Sequence, residues 1–122
     1  MNPISWFEVP VNDMDRAIKF YNGVFAWELK VIDAGPLQMA WFPSDDNEYG
    51  AGGSLVLNEH YAPGSVGILV YFQCDDVEKT LAKVDLAGGK VILEKKLIAP
   101  DIGYMGAAID SEGNRIAFHS KQ

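Results

Sequence analysis

The run Ile4-Ser5-Trp6-Phe7-Glu8-Val9-Pro10-Val11-Asn12-Asp13-Met14-Asp15-Arg16-Ala17-Ile18-Lys19-Phe20-Tyr21 changes character once, at Asp13, and that change decides the fold. Ile4 to Val11 is rich in β-branched and aromatic residues and reads as a strand that enters a loop at Pro10. Asp13 can cap a helix, because Met14, Ala17, Ile18, Tyr21 and Phe25 then recur at helical spacing while Asp15, Arg16 and Lys19 fill the polar face. Asn22-Gly23 supplies a helix end. Three extended stretches follow, Trp27 to Ile32, Leu37 to Phe42 and Gly53 to Leu57, separated by the turn formers Gly35-Pro36 and Ser44 to Asn47.

The same order returns roughly 62 residues later, the signature of an internal repeat. Gly67 to Cys74 reads as a strand, with Ile68, Val70 and Phe72 as its apolar alternation. Asp75 or Asp76 caps a helix with apolar positions Val77, Leu81, Val84 and Leu86, and Gly88-Gly89 stops it. Val91 to Ile98, Tyr104 to Asp110 and Asn114 to His119 supply three more strands, the last two joined through Ser111-Glu112-Gly113. The expected architecture is α+β: two tandem βαβββ modules, residues 1–60 and 65–122 of a single domain 1–122, forming a cup-shaped, partly open mixed β-barrel with the helices outside.

Composition restricts the function classes. Nearly half of the 122 residues are hydrophobic, enough for one packed core. The formal net charge of -7 repels phosphate backbones and acidic headgroups, so neither nucleic acid nor a membrane surface is an expected partner. Met1 to Val11 carries no basic cluster, and no segment reaches the roughly 20 apolar residues a membrane span requires. Together with a single cysteine, Cys74, which can form no internal disulfide, this makes the expected location cytoplasmic. Cys74 itself reads as a packed thiol at the end of an apolar alternation.

Three segments carry a resemblance. Val11 through Tyr21 resembles the opening helix of the vicinal-oxygen-chelate superfamily, the glyoxalase, bleomycin-resistance and extradiol dioxygenase type. Cys74-Asp75-Asp76-Val77 through Leu81 to Gly88-Gly89-Lys90-Val91 resembles its second helix and following strand. Asp110-Ser111-Glu112-Gly113-Asn114 is similar to its Asp-Pro-Asp/Glu-Gly-Asn hairpin, with Ser111 where proline is usual. The nearest group is that of the predicted lactoylglutathione lyase-related proteins. This fold hosts isomerases, dioxygenases, epimerases, thiol transferases and drug-binding proteins, so the resemblance fixes no substrate.

Metal-dependent members take His and Glu ligands from the first and last strand of each module. The resemblance places Trp6 at the first such position, Gly53 or Ser54 at the second, Leu69 at the third and Ala117 at the fourth. An indole, an isobutyl group and a methyl cannot coordinate a divalent ion, so no metal ligand is assigned and no cofactor is expected. Strand alternation puts Glu8 on the face of Trp6, and Arg115 and His119 on the face of Ala117.

Three functions remain open. The first is a binding module that holds a small organic molecule in an apolar cup lined by Trp6, Ser54, Leu69, Tyr71 and Ala117. The second is a metal-independent lyase or isomerase in which Glu8 or His119 is the base and Arg115 or Tyr71 steadies negative charge. The third is a divalent-metal lyase or dioxygenase whose site has moved to Glu8 and His119. His60, after Glu59, reads as a solvated loop residue, and Gly50-Ala51-Gly52-Gly53-Ser54 lacks the Lys and the following helix of a phosphate loop. No serine-nucleophile elbow occurs. The resemblance also implies a homodimer, since relatives commonly complete their cups by pairing modules within or between chains.

Overall fold

The computed structural model describes residues 1–122, the side chain of Ala34 excepted. Eight strands and three helices follow one another as β1 (Trp6–Pro10), α1 (Met14–Phe25), β2 (Ile32–Ala34), β3 (Leu37–Trp41), β4 (Gly52–Leu57), β5 (Val70–Gln73), α2 (Val77–Leu81), α3 (Val84–Ala87), β6 (Lys90–Ala99), β7 (Gly103–Ile109) and β8 (Arg115–Ser120). They form two four-stranded mixed sheets, ordered β1-β4-β3-β2 and β5-β8-β7-β6. In each sheet the first strand of a module runs parallel to its last, and the other pairings are antiparallel. This is the α+β plan that the repeated sequence implies.

Asp13 caps α1 by accepting the Arg16 N–H at 3.0 Å, and Asp76 caps α2 by accepting that of Glu78 at 2.9 Å. Several expected boundaries move for local reasons. The first helix does not stop at Asn22-Gly23. Gly23 instead faces α3, where an added Cβ would stand 3.2 Å from Ala87 Cβ, and the helix ends on Ala26 in the left-handed region at φ 58°. The freed Asn22 side chain accepts the Leu29 N–H at 2.8 Å, and Trp27 stacks on Phe25 at 4.3 Å. Those contacts hold 27–31 against the helix end, so the second strand is only Ile32–Ala34 rather than Trp27 to Ile32.

The second helix breaks in two, because the Lys83 N–H bonds Thr80 three residues back and tightens the turn between α2 and α3. Leu86 lies two residues beyond buried Val84, about 200° round the helix, and is 95% exposed instead of packed. Ile68 is also 94% exposed, since β5 begins only at Val70.

The core sits between the sheets and the helices. Phe7, Val9, Leu55, Val70, Phe72, Ile116 and Phe118 turn toward α1 and α2 and share one cluster with Phe20, Tyr21, Val77 and Leu81. Phe72 is its hub, with ring centroids of Phe7, Tyr21, Phe25, Trp27 and Phe42 between 5.3 and 6.4 Å away. All five of those rings belong to the first module and Phe72 to β5 of the second, so the hub fastens one module to the other.

A polar clasp does the same at the far end. The Glu112 carboxylate, its side chain fully buried, accepts the backbone N–H of Asn12 and of Asp13, both at 2.8 Å, and pairs with Arg16 Nε at 2.7 Å. Asp110 accepts the Tyr21 phenol at 2.7 Å, and Asn114 Nδ2 donates to the Pro10 carbonyl at 2.8 Å. Gly113 closes the hairpin at φ 91°, a conformation that L side chains resist. Burial and the Asp110 charge push the Tyr21 phenol well above its ordinary pKa.

Candidate functional site

β1 and β5 are edge strands whose ends are tied together. Asn114, at the start of β8, reaches Pro10 at the end of β1, and Gln73 at the end of β5 donates to the Tyr49 carbonyl near the start of β4 at 3.2 Å. The core faces of both strands meet where Phe7 touches Phe72. Alternation therefore sends Trp6 and Glu8 of β1, and Tyr71 and Gln73 of β5, to the face that carries no helix. That face is the inside of the cup.

Strand register adds the remaining residues. Glu8 pairs with Ser54 and Trp6 with Gly52, while Trp41 pairs with Ser54 from the other side. Ser54 thus shares the face of Trp6. Gly53 belongs to the core, where a Cβ would stand 2.5 Å from the Phe7 carbonyl oxygen. In the second sheet Tyr71 pairs with Ala117 and Gln73 with His119, and Ala117 is buried in a small cluster with Met105 and Ala107.

Trp6 is 44% exposed, Trp41 55% and Tyr71 49%, a large apolar area left open on a sheet face. The two indoles meet edge to face at 6.2 Å over β4. Gly52 permits this, because a Cβ there would come within 3.2 Å of the Trp6 ring. Leu69 is exposed just ahead of β5, and Glu8 is exposed without an ion pair.

The proposed acid–base groups are spread apart in role. His119 Nε2 donates to the Ile102 carbonyl at 2.7 Å, which leaves Nδ1 as its accepting nitrogen. Arg115 Nε donates to the Ser65 carbonyl at 3.2 Å and so is turned toward the segment between the modules. The Cys74 thiol donates to the His119 carbonyl oxygen, and burial raises its pKa, which disfavours the thiolate. The His60 ring lies 3.4 Å from a Glu59 carboxylate oxygen, both side chains solvent-exposed.

The four positions that the resemblance assigns to metal ligands, with Ser54 taken at the second, hold an indole, a hydroxyl, an isobutyl and a methyl, a donor set that does not fit a divalent cation. Among the described residues no three His, Cys, Asp or Glu side chains converge. Protein purified without chelator or metal-affinity resin, then incubated with nickel, zinc, manganese or iron and desalted, is expected to retain well under one ion per chain by elemental analysis. Near-stoichiometric retention would contradict this assignment.

Two cup residues escape a reading based on ligand positions alone. Trp41 is legible in the sequence, since it alternates with buried Ala40 and Phe42. Gln73 is not, because its placement depends on Tyr49, which is distant in sequence.

Comparison with known proteins agrees with this geometry. Residues 3–118 match the Glyoxalase/Bleomycin resistance protein/Dioxygenase superfamily. A glyoxylase-like domain-containing protein of Didymella fabae is 29% identical over 114 residues, which cover 91% of this chain and 88% of that one. The anthracycline biosynthesis protein DnrV of Streptomyces peucetius is 28% identical over 128 residues, covering 96% of this chain and 46% of DnrV. Glyoxalase I from Zea mays superposes with a TM-score of 0.71 at 20% identity, over 98% of this chain and 46% of that one, a likeness of fold. The chain spans about half the length of each of the last two proteins. With the repeated modules, the hairpin clasp and a match over nearly its whole length, the chain belongs to the Glyoxalase/Bleomycin resistance protein/Dioxygenase superfamily.

Proposed function

We propose that this protein binds a small organic molecule, flat and largely apolar, in the cup between β1 and β5, without a metal ion or other cofactor. The observation that carries the reading is the open aromatic face of Trp6, Trp41 and Tyr71 at and beside positions where metal-dependent relatives hold ligands. Aromatic side chains offer large contact area at small entropic cost, and each indole or phenol keeps one polar handle. Ser54, Leu69 and Ala117 complete the floor and the mouth. The name of one relative, an anthracycline biosynthesis protein, supports a flat polycyclic ligand among the classes to screen.

The test is isothermal titration of 1-naphthalenemethanol, a neutral flat probe, against the protein and its Trp6→Ala variant. Binding by the parent and a loss of roughly tenfold or more in the variant is expected, the scale of a well-placed aromatic contact. No binding to the parent would sink the cup reading.

A second reading, a metal-independent lyase or isomerase, is favoured by the unpaired Glu8 and the accepting Nδ1 of His119. Its discriminating variant is Glu8→Gln with His119→Gln, which should abolish any turnover found. The protein is further proposed to be a cytoplasmic homodimer, because an open aromatic face of this size is commonly an interface or a ligand site. A light-scattering mass near 13.4 kDa would refute the dimer.

A further inference from the structure

One polar atom on the cup face is out of place. Ser54 is fully buried, yet its hydroxyl has no hydrogen-bond partner among the described residues, the one buried side-chain oxygen or nitrogen in that condition. Leaving a buried hydroxyl unpaired is costly, so such an atom signals a missing partner. Its register neighbours identify what the partner must look like. On one side, on a strand about 4.8 Å away, stands Glu8, an exposed carboxylate with no cation. On the other stands Trp41, whose indole meets that of Trp6 over the same strand.

A carboxylate and a hydroxyl oxygen side by side accept hydrogen bonds, and indole faces attract positive charge. The surroundings have the same sign. Ser44, whose Oγ would stand 2.9 Å from a Cβ added at Gly52 with the Trp6 ring 3.2 Å from the same point, lines a recess of about 360 Å³ that also carries Asp45 and Glu48. In the other half of the cup Arg115 is turned toward Ser65 and the His119 ring toward Ile102, while the exposed Lys96 shares the face of His119 through Met105, across the second sheet from β5.

We infer that the Glu8–Ser54 pair beneath the Trp6 and Trp41 indoles is a subsite for an ammonium group carried on a flat apolar body. This deepens the binding reading above and rests on it. The ammonium donates to a Glu8 carboxylate oxygen and to Ser54 Oγ, and the ring system of the ligand lies against the indoles. Ser54 is fully buried while both indoles are half-exposed, so the ligand's approach to Ser54 Oγ requires the neighbouring indoles to turn aside.

The experiment uses three probes with one ring system: 1-naphthylmethylamine, 1-naphthalenemethanol and 1-naphthoate, titrated calorimetrically near neutral pH. The amine is expected to bind roughly tenfold tighter than the alcohol, the scale of a partly exposed ion pair joined to a cation–π contact, and the carboxylate weakest. Glu8→Gln, a change at an exposed site, should reduce the amine's advantage over the alcohol to about threefold or less. Added salt should narrow the gap in the parent only. Equal affinities for the three probes, or an amine preference that survives Glu8→Gln, would overturn the ammonium subsite and leave the cup standing. Failure of all three to bind would overturn the cup and the subsite together.

Discussion

Replacing Phe72 with alanine should lower the unfolding free energy by about 4 kcal/mol, within the range for truncating a buried aromatic ring. The magnitude follows from where the ring sits. Phe72 is buried on β5 and touches five other aromatic rings, among them Phe7 on β1, Tyr21 and Phe25 on α1, and Phe42 just beyond β3. Its removal leaves a cavity between the modules, lined by rigid rings that cannot collapse into it. Urea titration followed by tryptophan fluorescence measures the loss, and Trp27, 6.4 Å from Phe72, reports on this junction directly. A loss below about 1.5 kcal/mol would mean that the modules do not depend on the hub.

The second large effect concerns the clasp. Glu112→Ala should cost about 3 kcal/mol, because two backbone N–H groups at the start of α1 lose their acceptor and Arg16 loses its partner. The same carboxylate makes stability depend on pH. Burial alone raises its pKa, but hydrogen bonds from Arg16, from the Asp13 and Asn12 N–H groups and from Ser111 more than offset this and hold it below the ordinary glutamate value. A group whose folded pKa is lowered contributes fully above its unfolded value and loses that contribution as pH falls through the folded one. Thermal melts between roughly pH 6 and pH 3 should therefore show a steep loss in the parent and a shallower one in Glu112→Gln, which cannot titrate. Parallel curves for the two proteins would remove Glu112 from the acid response.

Much of this arrangement was legible in the sequence, because strand alternation and helical spacing are local. Asp13, the apolar face of α1 and the hairpin at Gly113 follow from residues within a few positions of one another. What escaped depends on contacts made at a distance. The capture of Leu29 by Asn22 removed an expected strand, and the approach of Ala87 turned Gly23 from a helix stop into a crossing point. On the cup face, the parity of Trp6 and Glu8 was readable from β1 alone. The choice between Gly53 and Ser54 required the register with β1, and the placement of Gln73 required the Tyr49 carbonyl.

The clasp joins residues separated by 100 positions, since Asn12 and Glu112 lie near opposite ends of the chain. During synthesis at 5–20 residues per second, the start of α1 emerges roughly 5 to 20 seconds before the carboxylate that completes it. Through that interval the first helix has only Asp13 at its end, and for more than half of it Phe7 and Tyr21 have no Phe72 to close over them. Closing so long a loop adds an entropic cost that grows only slowly with length, so the delay is set by translation more than by the search itself. The nascent first module is thus an unfinished, aromatic-rich surface, and the hairpin that carries Glu112 is the one that seals it.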